Sequence, residues 1–328
     1  MKDIQVVTCQ LDQKRDLGKE QQMAKDTEKT KLRITKEIMS TAWKSHTVIP
    51  SFNIPYLPMM NPVVRALRDT QCFGLIAVAR LEWEKFEADS LRAIYDEYQR
   101  VRDEKYTRLH LDHVPVIDED NKLVDYFKII SEAVNMGYES VMVDGSRLPL
   151  AENIAATRKV ADMAHKAGIP VEGELGAVMG HEAGPIPPYE ELFASGKGFT
   201  SPAEAKRFVT ETNVDWLSVA IGNIHGAISA AKKDAKKVEA RLNIEHLKKI
   251  SKDIAIPMVL HGGSGIKKDC IIESIRNGIA KINIGTAIRQ PYETVRKESM
   301  AKAQQAVYET TMNIINDELE TSGSAKYL

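Results

Sequence analysis

Eight short apolar runs recur along this chain, each followed by enough sequence to carry a helix back across a sheet. They are TVIPSFN (47–53), FGLIAVA (73–79), RLHLDH (108–113), SVMVDGS (140–146), VEGELG (171–176), WLSVAIG (216–222), IPMVLHGG (256–263) and IAKINIGT (279–286). The stretches between them are amphipathic with helical spacing. In LVDYFKIISEAVNMG, Leu123, Phe127, Ile130 and Val134 mark one face and Gly137 closes it. Strands joined by crossovers of this length form a parallel sheet. Eight such units favour a closed (β/α)8 barrel, the TIM-barrel form of the α/β class, over an open doubly wound sheet. No G-x-G-x-x-G follows the first strand, which weakens a dinucleotide-binding alternative.

The 328 residues are 43% hydrophobic and 28% charged, enough for one large core. Residues 1–34 are polar and rich in both charges, and are expected to form a solvated extension without an assigned function. Residues 35–328 then make a single barrel domain that includes a C-terminal helix over roughly 290–318. A formal net charge of −1 provides no global field for nucleic acid or an anionic membrane. The three cysteines show no C-x-x-C pair and no disulfide framework, which favours a reducing cytoplasm. The N-terminus lacks the apolar segment of a signal peptide, and no apolar run approaches the ~18 residues of a membrane span. A soluble, cytoplasmic protein is expected.

Polar residues and glycines gather where the apolar runs stop, the end at which barrel active sites are built. His113, His225 and His261 fall at or just past the ends of strands 3, 6 and 7. Imidazoles are common ligands of zinc-like metals, and three protein ligands leave a position for substrate. Each histidine alone reads more readily as a hydrogen-bonded structural residue than as a ligand; the shared rim is what brings a metal into play. In LHGGSG (260–265) and NIGT (283–286), Gly262, Gly263 and Gly285 let backbone N–H groups turn toward an anion, and Ser264 and Thr286 add hydroxyls. These turns follow strands 7 and 8, where this barrel usually holds phosphate. Asp112, Asp144, Glu174 and Glu182 complete the set. Glu174 could meet a metal or orient a histidine, Asp144 could bind a metal or cap the next helix, and Glu182 lies in a long loop (176–198) that suggests a flap. His110 shares a strand face with Asp112 and is expected to fill space or support the site. Asp112 and His113 should face apart on an ideal strand. Both reach one site only if the strand breaks at its rim, and Val114-Pro115 supplies a cause.

The motifs HLDH, VMVDGS-x-LP-x-x-EN, VEGELG, VAIGNIHGA, VLHGGSG and KINIGT occur in the order found in class II, metal-dependent fructose-bisphosphate and tagatose-bisphosphate aldolases. The chain resembles that family from about Thr35 to its end. The resemblance implies that His113, His225 and His261 hold a catalytic Zn²⁺, and that Asp112 is the acid/base at the C4 hydroxyl. It implies that Gly226, Gly263, Ser264, Asn283 and Thr286 bind the dihydroxyacetone phosphate half, with Asn53 also in the site. Asp144 and Glu174 match carboxylates that reach a second cation position, and Glu182 matches a flap carboxylate handling the C3 proton. The implied reaction is reversible retro-aldol cleavage of a ketose phosphate, in carbohydrate metabolism such as glycolysis, with the metal stabilising the enediolate. The implied assembly is a homodimer or homotetramer.

Several positions depart from the family pattern. The usual strand 2 glutamine and serine are Ala77 and Ala79, followed by Arg80, and Arg147 stands for the histidine of DGSHLP. The flap's GGEEDG reads GHEAG, and the lysine that often follows strand 6 is missing from HGAISAAKK in its usual place. The substrate is therefore expected to differ from plain fructose 1,6-bisphosphate, with Arg80 or Arg147 meeting phosphate, sulfonate or carboxylate unless both face solvent. Rival readings are a Schiff-base aldolase using Lys281, a metal hydrolase, and a non-catalytic or diverged metal-binding barrel for another anionic sugar derivative. Lys281 lies too deep in strand 8, and no H-x-H on strand 1 supports the hydrolase.

Overall fold

The computed structural model describes residues 33–176, 189–223, 240–263 and 265–328. Of the polar segment 1–34, Arg33 and Ile34 are described, and the residues from Thr35 to Leu328 group as one compact unit. The strands are β1 (Ile49–Asn53), β2 (Gly74–Ala79), β3 (Thr107–Pro115), β4 (Ser140–Asp144), β5 (Val171–Leu175), β6 (Trp216–Val219), β7 (Met258–Leu260) and β8 (Ile279–Ile284). Each pairs in parallel with the next, and β8 returns to β1 through Ile49↔Lys281 to Phe52↔Ile284. The chain is the closed (β/α)8 barrel that the spacing predicts. The strands β6 and β7 stop short of their apolar runs, because Gly222 (φ 108°) and Gly262 (φ 66°) turn the backbone out of the ladder at the rim.

The helices are α1 (Thr35–Lys44), α2 (Met60–Asp69), α3 (Arg80–Glu84), α4 (Leu91–Val101), α5 (Tyr126–Met136), α6 (Leu150–Lys166) and α7 (Tyr189–Ser195). They continue with α8 (Pro202–Thr212), α9 (Ile244–Asp253), α10 (Lys268–Arg276), α11 (Thr286–Val295) and α12 (Met300–Asn313). Among the described residues, no helix is long and apolar enough to cross a membrane. Two expectations change here. Leu123 is 83% exposed and lies before α5, whose start is set by the Asp125 side chain accepting from the Lys128 N–H. The single helix expected near 290–318 is two, because Ser299 caps a new start by accepting from the Lys302 N–H.

Strand alternation divides the core. Ile38, Met39 and Ala42 of α1 pack with Ile49, Phe73, Leu75, Trp216, Val259 and Ala280, so that an apolar plug closes the strands' N-terminal end. Above it, Phe52, Ile76, Leu109, Leu111, Val143, Leu217 and Ile282 face the helices in the main core. The opposite faces carry Ser51, His110, Ser140, Glu172, Ser218 and Lys281, all fully buried. Barrel interiors are usually filled by Val, Ile and Leu. Burying charge instead costs free energy unless each group is paired, so this polar layer must be a connected network.

Candidate active site

The pairing of β3 with β4 runs His110↔Ser140 and Leu111↔Val141, then resumes at Val114↔Val143 and Pro115↔Asp144. Asp112 and His113 therefore stand together opposite Met142, a β-bulge that breaks the alternation. His113 takes φ 26°, and its N–H points at Met142 Sδ, 3.4 Å away. The bulge is what brings neighbouring residues to one site. The strand ends at Pro115, but the break in alternation that the sequence assigns to Val114-Pro115 lies before it, at the bulge between Leu111 and Val114. Pairing with β2 stops at Ala79↔Asp112, so Pro115 has a ladder partner on the β4 side only and its missing N–H breaks no bond.

The His113 and His261 rings lie 4.4 Å apart, inclined by 74°. His113 Nδ1 is 3.5 Å from Asp144 Oδ2 and 3.7 Å from Glu174 Oε2. Two overlapping sets, Asp112/His113/His261 and His113/Asp144/Glu174, place potential ligand atoms within 4.8 Å of one another. Burial opposes a proton on His113, but Glu174, Asp144 and Asp112 outweigh it and push the imidazole up to about 10. Burial, reinforced by Asp144, drives Glu174 well above the carboxylate range, while His113 overcomes burial to hold Asp144 at about 2. Glu174 Oε2 is buried without a hydrogen-bond partner among the described residues. Converging carboxylates, two imidazoles and an orphaned oxygen fit a divalent cation, which would supply the positive charge the cluster demands. His225 and Glu182 lie outside the described residues.

His261 donates from Nε2 to Glu172 Oε1 at 2.7 Å, which leaves Nδ1 as the lone-pair nitrogen for a metal. Glu172 Oε2 also accepts from Trp216 Nε1 and Lys281 Nζ, each at 2.7 Å. The Lys281 ammonium can only donate, so His110 Nε2 accepts at 3.2 Å and its Nδ1–H donates to Ser140 Oγ at 2.8 Å. This network joins the charged members of the polar layer and Ser140, whereas the Ser51 and Ser218 hydroxyls meet no hydrogen-bond partner among the described residues. Burial opposes ionisation of Glu172, but Lys281, His261 and His110 hold it at about 2. The sequence reading singled out Glu174 and missed Glu172, although E-x-E on one strand puts both on the same face. Lys281 is spent on Glu172 below the site, as its depth suggested. Lys281→Met should destabilise the fold by about 3–5 kcal/mol by stranding a buried carboxylate, read by denaturant unfolding. Borohydride with substrate should trap no adduct on the wild type.

Asp112 Oδ2 accepts from Asn53 Nδ2 at 2.8 Å and Asn283 Nδ2 at 2.9 Å. Both amides thus hold the carboxylate in place. Burial would raise Asp112, but His113, Lys281 and His261 keep it well below its usual range, and Oδ1 is left without a hydrogen-bond partner among the described residues. Glu82 was also missed. It sits buried on the short α3, and its Oε2 accepts from the Ala79 N–H at 2.8 Å. Burial chiefly, reinforced by Asp112, pushes its carboxyl up to about 8 against that N–H. Nothing in RLEWE distinguishes it from a solvent-facing helical acid.

The turns after β7 and β8 come together. The Gly263 N–H donates to Asn283 O at 3.3 Å, and a Cβ on Gly263 would lie 2.4 Å from Ile282 Cγ2. Gly285 precedes the first turn of α11, which begins at Thr286, and the leading N–H groups of a helix have no carbonyl a turn earlier to meet. Gly226 and Ser264 lie outside the described residues. Gly263→Ala should cost about 1–3 kcal/mol through overpacking, read as a lowered melting temperature. On the other side of the cluster, Arg80 and Arg147 line one cleft with His113 and Asp144.

Buried carboxylates and imidazoles at the C-terminal mouth of a closed barrel define an enzyme site suited to a divalent metal. The family described as "Fructose-bisphosphate aldolase class-II" matches residues 33–325. A Bacillus subtilis (strain 168) protein named "Probable fructose-bisphosphate aldolase" is 29% identical over 294 residues, covering 84% of this chain and 93% of that one. A Streptococcus pyogenes fructose-bisphosphate aldolase is 37% identical over 191 residues, 58% of this chain and 56% of its own. The crystal structure of the YdjI aldolase from Escherichia coli K12 superposes with a TM-score of 0.68 at 27% identity, over 89% of this chain and 99% of that one. The chain belongs to the class-II fructose-bisphosphate aldolase family, a metal-dependent one, and is an aldolase, a carbon–carbon lyase.

Proposed function

We propose that the protein reversibly cleaves a ketose phosphate into dihydroxyacetone phosphate and an aldehyde. The observation that carries this reading is Asp112, clamped on Oδ2 by Asn53 and Asn283, with a carboxylate oxygen within 4.8 Å of ligand atoms of His113 and His261. His113, His261 and, by family resemblance, His225 would hold zinc, with Asp144 and Glu174 serving that ion or a second cation. A divalent ion there supplies Lewis-acid stabilisation of negative charge at the substrate carbonyl.

The chain's own residues do the rest. Asp112, kept ionised by its surroundings, takes the proton of the C4 hydroxyl during cleavage and returns it during condensation. The two asparagines fix the carboxylate, so the proton transfer needs no side-chain search. The Gly262–Gly263 turn packs against β8, its Gly263 N–H given to Asn283 O, and beside it Gly285 and Thr286 present N–H and hydroxyl donors to the phosphate of the dihydroxyacetone half, joined by Gly226 and Ser264. Glu182 exchanges the C3 proton. Metal-analysed protein should release dihydroxyacetone phosphate from at least one of a panel of ketose 1-phosphates. Chelation should abolish release and zinc restore it. Release that survives complete metal removal would overturn the metal assignment, and no release from any ketose phosphate would overturn the reaction.

A further inference from the structure

We infer that Glu82 is a positioning residue for the base at the C4 hydroxyl, orienting the Asn53 amide that clamps Asp112; this rests on the aldolase reading above. Strand register brings the three side chains to one stretch of the rim. Asn53 of β1 pairs with Ala77 of β2, and Ala79 of β2 pairs with Asp112 of β3. Glu82 reaches back from α3 so that its Oε2 accepts from the Ala79 N–H at 2.8 Å. Its carboxyl therefore lies at the end of β2, the strand between those of Asn53 and Asp112. With alanine at both Ala77 and Ala79, that strand brings no polar side chain of its own to this pair of register positions. The segment carrying Glu82 is tied to the same scaffold. The Ala88 N–H donates to Glu82 O at 3.2 Å, and the Glu87 N–H donates to Pro55 O, just past Asn53, at 3.0 Å.

The backward reach of Glu82 caps α3, but a cap alone does not account for where the carboxyl sits. Glu82 is 8% exposed, and burying a carboxylate costs free energy unless it is hydrogen-bonded. The Ala79 N–H meets part of that demand. Burial favours the neutral acid and Asp112 adds to this, while the Ala79 N–H and the Asn53 side chain favour the charged form by hydrogen bonding. Asn53 Nδ2 carries two hydrogens. One is given to Asp112 Oδ2 at 2.8 Å, leaving the second for Glu82. An amide between two carboxylates has one favourable orientation, nitrogen toward both. Glu82 thereby disfavours the flipped state, in which the Asn53 oxygen would face Asp112 and repel the base it should hold.

The test compares Glu82→Gln, Glu82→Ala, Asn53→Ala and the double variant Asn53→Ala/Glu82→Gln. Glutamine keeps the cap, because only its oxygen can accept from the Ala79 N–H, but it then turns its own NH2 toward the Asn53 amide. In Glu82→Gln, kcat for cleavage should fall about ten- to a hundredfold. Its melting temperature should not drop, and exchange of the donor's C3 proton in deuterated water should persist. Glu82→Ala should lose as much cleavage and, with its cap gone, melt lower. Once Asn53 is alanine, adding Glu82→Gln should cost cleavage nothing more, since the effect passes through that amide. Wild-type cleavage in Glu82→Gln would reduce Glu82 to a helix cap, and additive losses in the double variant would show that it does not act through Asn53. Either result overturns the inference and leaves the aldolase reading standing. A wild type that cleaves no ketose phosphate would overturn the reaction, and with it the base that Glu82 serves.

Discussion

Replacing His113 by alanine is expected to empty the metal site and lower the cleavage rate by at least about a thousandfold. The estimate follows from several kcal/mol of charge stabilisation at one decade per 1.36 kcal/mol. His113 belongs to both sets at the mouth, Asp112/His113/His261 and His113/Asp144/Glu174, so its loss removes a ligand atom from each. Its loss also leaves Asp112, Asp144 and Glu174 converging without the imidazole that balances them. Metal content per chain and turnover should fall together. A control separates ligation from general damage: His165, hydrogen-bonded to Asp215 at 2.8 Å on α6, should be replaceable by alanine without loss of metal. Stoichiometric metal and near-normal turnover in His113→Ala would remove it from the ligand set.

The second large effect concerns Asp112→Asn. The asparagine oxygen can still accept from Asn53 and Asn283, so the local geometry should survive. It cannot take a proton from the C4 hydroxyl, and cleavage should fall by about 10²–10⁴. Donor C3-proton exchange needs no C4 hydroxyl and should persist, as should bound metal. This split between cleavage and exchange is the signature of a base acting on the acceptor side. If both rates fell in parallel, Asp112 would be holding the site together and not moving a proton.

The barrel was legible in the sequence because eight apolar runs and their crossovers repeat a pattern that has few folded solutions. The positions of Asp112, His113, Asp144, Glu174 and His261 were legible as well, since each sits where a run stops. The reason Asp112 and His113 share a site was not. It lies in a register shift against β4, a property of two strands together. Glu172 escaped because its function is to hold His261 and Lys281, contacts between β5, β7 and β8 that are distant in sequence. Glu82 escaped for a different reason. Its importance comes from α3 lying against the mouth, and a five-residue helix leaves no periodic signal. Leu123 shows the converse error: its spacing matched a helical face, but the Asp125 cap starts the helix after it.

The bulge in β3 makes the site depend on counting as well as on chemistry. Only Asp112 and His113 lie between Leu111 and Val114, so a chain one residue shorter there would restore plain alternation with a single residue facing the mouth, and either the carboxylate or the imidazole would be lost. One residue longer would displace both relative to Asn53 and His261. Side-chain replacements here would grade activity, as described for Asp112 and His113, whereas insertions and deletions would dismantle proton transfer and metal ligation at a stroke. For anyone redesigning this barrel, the length of that segment is the fixed quantity around which residue identities can be varied.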